Sequence, residues 1–270
     1  MSMTFDEHLA KGISLLETGD NKGAAAEFRR CMKIEPGNPE GYFNLGEALA
    51  ADDDLAGAST AYLEGLTKAP NDIEALTALG DIYFEMGQHK DALKSYTKVT
   101  EIEPANADGY VNIGLIYNSM ERTDNAIKAY TTALELEPDN VFAYNALGDA
   151  LYGLGERDKA IAAYRKGIEI EPHDAAAHFN LGELYYDLGE FEEAEKECLE
   201  AIRLDPAFTL SYLTLGSLYM DQEHVANAIK YLELYLTMEK SPQAAEMVAE
   251  VKAVVEGLKE EAGKGKQNRT

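Results

Sequence analysis

VFAYNALGDALYGLGERDKAIAAYRKGIEIEPHD, residues 141–174, holds two short helical patterns separated by Gly155-Glu156 and closed by Glu171-Pro172. Sliding this stretch by 34 residues in either direction brings its landmarks back. Prolines stand at Pro36, Pro70, Pro104, Pro138, Pro172 and Pro206. Glycines stand at Gly12, Gly46, Gly80, Gly114, Gly148, Gly182 and Gly216, and alanines at Ala24, Ala58, Ala92, Ala126, Ala160, Ala194 and Ala228. Three independent series share one register. A period of this length marks an array of helical repeats.

Numbering each unit from 1 to 34, apolar residues recur at positions 4, 7, 11, 20, 24, 28 and 30. In the fifth unit these are Tyr144, Leu147, Leu151, Ala160, Tyr164, Ile168 and Ile170. Spacings of three and four place them on one face of each helix. Glycine at position 8 and alanine at position 20 suit two helices crossing closely. Glycine at position 15 (Gly19, Gly87, Gly155, Gly189) supplies the positive φ that ends the first helix. Proline at position 32 stops the second.

LGDALYGLGERDKAIAAYRKGIEIEP resembles a tetratricopeptide repeat, as do LGDIYFEMGQHKDALKSYTKVTEIEP and LGELYYDLGEFEEAEKECLEAIRLDP. The resemblance covers residues 5–242 as seven units: 5–38, 39–72, 73–106, 107–140, 141–174, 175–208 and 209–242. It implies an all-α, right-handed solenoid in which helix A of each unit packs on helix B and lines a concave face. One helical pair cannot bury its apolar face alone, so neighbours complete the core. Residues 243–260 read as a capping helix with Ala245, Val248, Val251, Val255 and Leu258 on one side. Residues 261–270, EAGKGKQNRT, read as a disordered basic tail.

The end units depart from the pattern. His8 and Lys11 replace the expected aromatic and leucine in the first, and Tyr235 replaces a small residue in the seventh. Cys31 and Cys198 stand at helix-core positions in distant units, where a cysteine serves as a small apolar residue. Most of the tyrosines fall at core positions 4, 11 and 24 and read as packing.

The chain carries no G-x-S-x-G, H-E-x-x-H, C-x-x-C or P-loop. The five histidines make no i, i+4 pair, and the Asp52-Asp53-Asp54 run lacks the glycine and distal glutamate of a calcium loop. That run reads as a turn and an N-cap for helix B. The expectation is a non-enzymatic protein with no cofactor and no metal. The start of the chain has acids where a signal peptide needs an apolar run, and no segment is apolar over the ~18–20 residues that span a bilayer. A cytoplasmic protein without direct membrane insertion is expected. The net charge of −25 argues against nucleic acid as partner.

The resemblance assigns the concave face to positions 2, 5, 6, 9, 12 and 13. None of these 42 positions is Lys, Arg or His, although the chain has 24 Lys plus Arg. Twelve are acidic: Asp6, Glu17, Glu40, Glu47, Glu74, Asp81, Glu85, Asp108, Asp149, Glu183, Asp187 and Asp221. A groove of one sign attracts the opposite sign. Asn44, Asn112 and Asn180 recur at position 6 and resemble the asparagine ladder with which some repeats of the family hold a peptide backbone; Asn145 stands beside that ladder. Phe43, Phe84, Val111, Phe142, Tyr152, Phe179 and Tyr186 offer apolar contact to partner side chains. The expected function is an interaction scaffold that binds an extended basic or basic-apolar peptide segment of another protein. The alternative is a homo-oligomeric scaffold that assembles through its terminal units.

Overall fold

The computed structural model describes residues 3–267, and among them there are fifteen α-helices, one short 3-10 turn and no strand. The chain falls into two compact units, Met1–Pro138 and Asp139–Thr270, divided between the fourth and fifth repeats. Each unit is a set of antiparallel helix pairs.

Unit 1 holds α1 (Phe5–Glu17), α2 (Asn21–Ile34), α3 (Glu40–Ala51), α4 (Leu55–Leu66), α5 (Ile73–Glu85), α6 (His89–Ile102), α7 (Ala107–Ser119) and α8 (Thr123–Leu136). Unit 2 holds α9 (Val141–Gly153), α10 (Arg157–Ile170), α11 (Ala175–Asp187), α12 (Phe191–Leu204), α13 (Thr209–Asp221), α14 (Val225–Met238) and α15 (Ala245–Gln267). Every helix B starts at repeat position 17. The proline series explains where most of them stop. Glu35, Glu103, Glu137, Glu171 and Asp205 are C-caps, and each directly precedes a proline. Three of the central helix A starts are fixed by caps: Asp72, Asn106 and Asn140 accept the backbone N–H three residues on, at 2.7–2.9 Å.

The close helix crossing has a physical cause at position 8. A Cβ at Gly80 would lie 2.7 Å from the Tyr96 ring, and one at Gly148 2.7 Å from a ring carbon of Tyr164. The residue at position 24 therefore lies over the glycine of its own repeat. It is a ring in repeats 1–5, Cys198 in the sixth and Leu232 in the seventh. All seven alanines at position 20 are fully buried. Cys31 and Cys198 are free and fully buried, as packing residues.

The turn between helices A and B needs a positive φ at position 15 in all seven repeats. Gly19, Gly87, Gly155 and Gly189 supply it at 70–81°, whereas Asp53, Glu121 and Glu223 adopt it at 63°, 57° and 58°. An L-residue in this region costs ~1–2 kcal/mol. Glu121→Gly is therefore expected to stabilise unit 1 by about 1 kcal/mol, read from urea denaturation; an unchanged or lower midpoint would show the turn to be unstrained. As the sequence suggests, Asp54 caps α4, accepting the Gly57 N–H at 2.9 Å.

His8 proves to be more than an end-unit departure. Its Nδ1 lies 2.6 Å from Glu27 Oε2, while Lys11 and Arg30 donate to Glu27 Oε1 at 2.8 and 2.5 Å. Glu27 is only 4% exposed. The Lys11 hydrogen bond, with those of Arg30 and His8, outweighs burial and holds its carboxyl at about 2, below the ordinary 4.5. The sixth repeat repeats the device: His178 Nδ1 lies 2.6 Å from Glu197 Oε2 at the same two repeat positions. A carboxyl lowered on folding contributes stability that is complete above 4.5 and lost as pH falls towards 2. Amide protection in α1 and α2 should fall across that window. Glu27→Gln should be less protected at pH 7 and nearly flat across the same range; parallel profiles would remove the ion cluster as the cause.

The capping helix differs from its expected extent. Val251 and Val255 are buried against α14, with Val248 and Leu258 partly buried beside them. Ala245 is exposed and not part of that side. The helix runs to Gln267, seven residues beyond the expected end at 260. Residues 268–270 of the expected tail lie outside the described residues. No described helix is long and apolar enough to cross a membrane.

Candidate peptide-binding face

Helix A of each repeat presents the positions expected to carry function, and the two units present different chemistry. In unit 1, Glu40, Glu47, Glu74 and Asp108 are exposed, and none is paired with a cation among the described residues. Asp81 is exposed as well, but its Oδ1 accepts the Tyr96 hydroxyl. Asn44 donates Nδ2 to its own helix at Glu40 O, 2.9 Å away, which leaves its carbonyl for a ligand. Asn112 is partly exposed. Phe84 is 37% exposed, with its ring 5.7 Å from that of His89. Val111 is 6% exposed, so it is core and not groove surface.

A cavity of about 520 Å³ opens between α3 and α5. Its floor is Phe43 and Tyr62, stacked with centroids 6.1 Å apart and planes 22° apart. Phe43 reaches this position because α4 has no side chain at Gly65; a Cβ there would come within 2.6 Å of Phe43 Cδ1. Ala75 and Ala78 form the far wall, and their small size leaves the space open. The rim is Glu40, Glu47, Asp72 and Glu74, and no Lys, Arg or His lines the cavity. Burial, then the charges of Glu47 and Asp81, push the Tyr62 hydroxyl up to about 12, as expected for a phenol in a negative field.

In unit 2 three of the four expected groove acids are hydrogen bonded to tyrosines, whereas Glu183 is exposed and has no hydrogen-bond partner among the described residues. Asp149 Oδ1 accepts from Tyr164 Oη at 2.6 Å and lies 3.4 Å from Asn180 Nδ2. Tyr152 donates to Asp187 and Tyr186 donates to Asp221, so the tyrosine at position 12 of one repeat reaches the aspartate at position 13 of the next. Asn145 donates to Asp174 at 2.9 Å. Withdrawal of water raises the Asp149 and Glu183 carboxyls, and the charge of Asp149 raises Glu183 further. Phe179 is 6% exposed and packs on Phe208 with centroids 5.1 Å apart, so it too is core. Phe142 is 56% exposed and stands free of such packing.

Profiles of the tetratricopeptide repeat (TPR) family match residues 15–82, 80–120, 114–155, 145–207 and 210–242. The crystal structure of MamA is 31% identical and superposes with a TM-score of 0.56, covering 60% of this chain and 95% of that one. The chain belongs to the TPR family. A TPR repeat-containing protein of Pseudomonas aeruginosa is 40% identical over 58 residues, 22% of this chain; the match spans 55% of that relative's length. The crystal structure of a tetratricopeptide repeat protein from Parabacteroides merdae shares the fold at 20% identity, with a TM-score of 0.71 over 92% of this chain and 98% of that one.

In the TPR register the contrast between units is plain at position 2. It is acidic in repeats 1–4 (Asp6, Glu40, Glu74, Asp108) and apolar in repeats 5–7 (Phe142, Ala176, Leu210), and all seven residues are exposed. Sequence reasoning missed Asp72 and Tyr62 as site residues. Asp72 sits at position 34, outside the expected face, and caps α5 with one carboxylate oxygen. Tyr62 occupies a core position; the signal that it also meets solvent was the pair of alanines facing it from α5. Among the described residues no cluster of His, Cys, Asp or Glu is arranged to hold a metal ion.

Proposed function

We propose that this TPR protein is a non-enzymatic interaction scaffold whose unit 1 binds an extended basic segment of a partner on its helix-A face. The observation that carries this reading is the set of exposed carboxylates on α1, α3, α5 and α7 with no cation beside them. Twenty-four face positions in that unit include eight acids and no Lys, Arg or His. Uncompensated charge of one sign raises the local concentration of the opposite sign and speeds encounter. Four repeats offer the extended surface that a peptide, rather than a small molecule, requires. In unit 2, Asp187 and Asp221 accept tyrosine hydroxyls from the preceding repeat and so tie neighbouring repeats together, while Phe142 and Leu210 give that unit an apolar face.

The test is binding of a fluorescently labelled lysine- and leucine-containing peptide to the full chain, followed over a salt series. Affinity should fall steeply as the Debye length shortens to ~8 Å at physiological strength. Equal binding of a glutamate-substituted peptide would refute the reading.

A second reading, assembly of copies through the terminal repeats, draws on a cavity of about 570 Å³ beside the start of α1, lined by Met3, Phe5, Ile34, Arg30 and Lys33. Met247 and Val254 are exposed on α15 at the other end of the chain. Light scattering separates the two readings: a mass that rises with concentration belongs to assembly, and a constant monomer mass excludes it.

A further inference from the structure

The cavity between α3 and α5 is more than part of an acidic surface, because its lining includes an aromatic pair and a tyrosine hydroxyl that no protein group holds. Position 24 is tyrosine in repeats 2–5. In the third and fifth repeats its hydroxyl is held by the aspartate at position 9, Asp81 or Asp149. In the second repeat position 9 is Glu47, and the Tyr62 hydroxyl has no hydrogen-bond partner among the described residues. Tyr62 is nevertheless 8% exposed, and it lines this cavity beneath its wall of carboxylates. That hydroxyl reaches solvent and is open to a donor or acceptor from a ligand.

Three features converge on one ligand group. The stacked Phe43 and Tyr62 rings present an aromatic surface that favours a flat cation over its face. The rim carboxylates stand around it, Glu40 and Glu47 on α3, Glu74 on α5 and Asp72 at the α5 N-cap, so they suit several N–H donors in a planar fork rather than one point charge. Tyr62 Oη supplies an acceptor at the base. We propose that this cavity is an arginine subsite, taking one guanidinium group of the basic segment that unit 1 binds. The proposal rests on the basic-segment reading above. It adds the residue type and the place where the segment is registered. The aliphatic stem of the arginine lies along Ala75 and Ala78, and its head reaches Glu47 and Glu74.

The test uses the isotopically labelled full chain and four capped nine-residue peptides. Three are neutral serine–leucine peptides with a single central arginine, lysine or citrulline, and the fourth alternates leucine with lysine. The arginine peptide should shift the amide resonances of Glu47, Gly65, Ala75 and Ala78. It should bind roughly tenfold more tightly than the citrulline peptide, which keeps the shape and loses the charge, and several-fold more tightly than the lysine peptide. Tyr62→Phe, which keeps the ring and its packing, should reduce the preference for arginine over lysine. Gly65→Ala, which pushes Phe43 off its seat into the cavity, should abolish that preference, while the leucine–lysine peptide still binds the rest of the face. If the basic peptides bind without preferring arginine, or shift resonances elsewhere, the subsite is overturned and the wider reading stands. If no basic peptide binds, both fall.

Discussion

Changing Glu40, Glu47, Glu74 and Asp108 together to lysine is expected to abolish capture of a basic partner while leaving the helical spectrum unchanged. All four side chains are exposed, and none of them ties one helix to another. An exposed charge pair is worth ~0.2–1 kcal/mol, and reversal replaces an attraction by a repulsion of similar size. Four such sites together amount to about 4 kcal/mol, roughly a thousandfold in affinity. Lysine in the first turn of α3, α5 and α7 opposes the helix dipole at ~0.3–1 kcal/mol each, so a small drop in melting temperature accompanies the change. The opposite control is Lys94, Lys128, Lys166 and Lys196 to glutamate on the B helices. Lys94 and Lys166 make only exposed i, i+3 pairs, with Asp91 and Glu169, and the control set should leave binding intact. Loss of binding in the control set with retention in the groove set would move the partner to the other face of the protein.

Gly148→Leu is expected to cost about 2–4 kcal/mol and to soften unit 2 around its own repeat. Any side chain at this position meets Tyr164, whose ring carbons would lie 2.5–2.8 Å from the new Cβ. Tyr164 is 2% exposed, and its hydroxyl donates to Asp149 at 2.6 Å, so the ring cannot swing aside without breaking that bond. Overpacking costs ~1–3 kcal/mol, and a lost hydrogen bond adds about 1. Hydrogen exchange should rise in α9 and α10, less in α11 and α12, and stay unchanged in α1–α4, because stability in repeat arrays is close to nearest-neighbour. A Cβ added at Gly153, on the same helix, would meet no neighbouring atom within 4 Å, so Gly153→Ala should be neutral or slightly stabilising. Uniform loss of protection along the chain would contradict the nearest-neighbour picture.

The sequence by itself determined the repeat, its register and its all-α class. Glycine at position 8, alanine at 20 and proline at 32 each answer to a constraint inside a single helix pair, so they recur wherever the pair recurs. The cap at Asp54 and the burial of both cysteines were legible for the same reason. The αL turn was legible only where glycine fills it; Asp53, Glu121 and Glu223 adopt the same φ because the helices on either side leave no alternative.

What the tertiary structure decided depends on residues far apart in the chain. The acids of the helix-A face look alike in sequence. Only the fold separates Glu40, Glu47 and Glu74, which face solvent uncompensated, from Asp149, Asp187 and Asp221, which accept tyrosine hydroxyls. Val111 and Phe179 are buried at 6% exposure and so fall out of the groove, Phe179 by packing on Phe208 just before α13. The cavity beneath Glu47 exists because Gly65 seats Phe43, Ala75 and Ala78 leave room, and Tyr62 lacks the aspartate that holds its counterparts. Those conditions come from three different helices. A periodic sequence states what each repeat shares, and function here resides in the places where packing makes one repeat differ from the next.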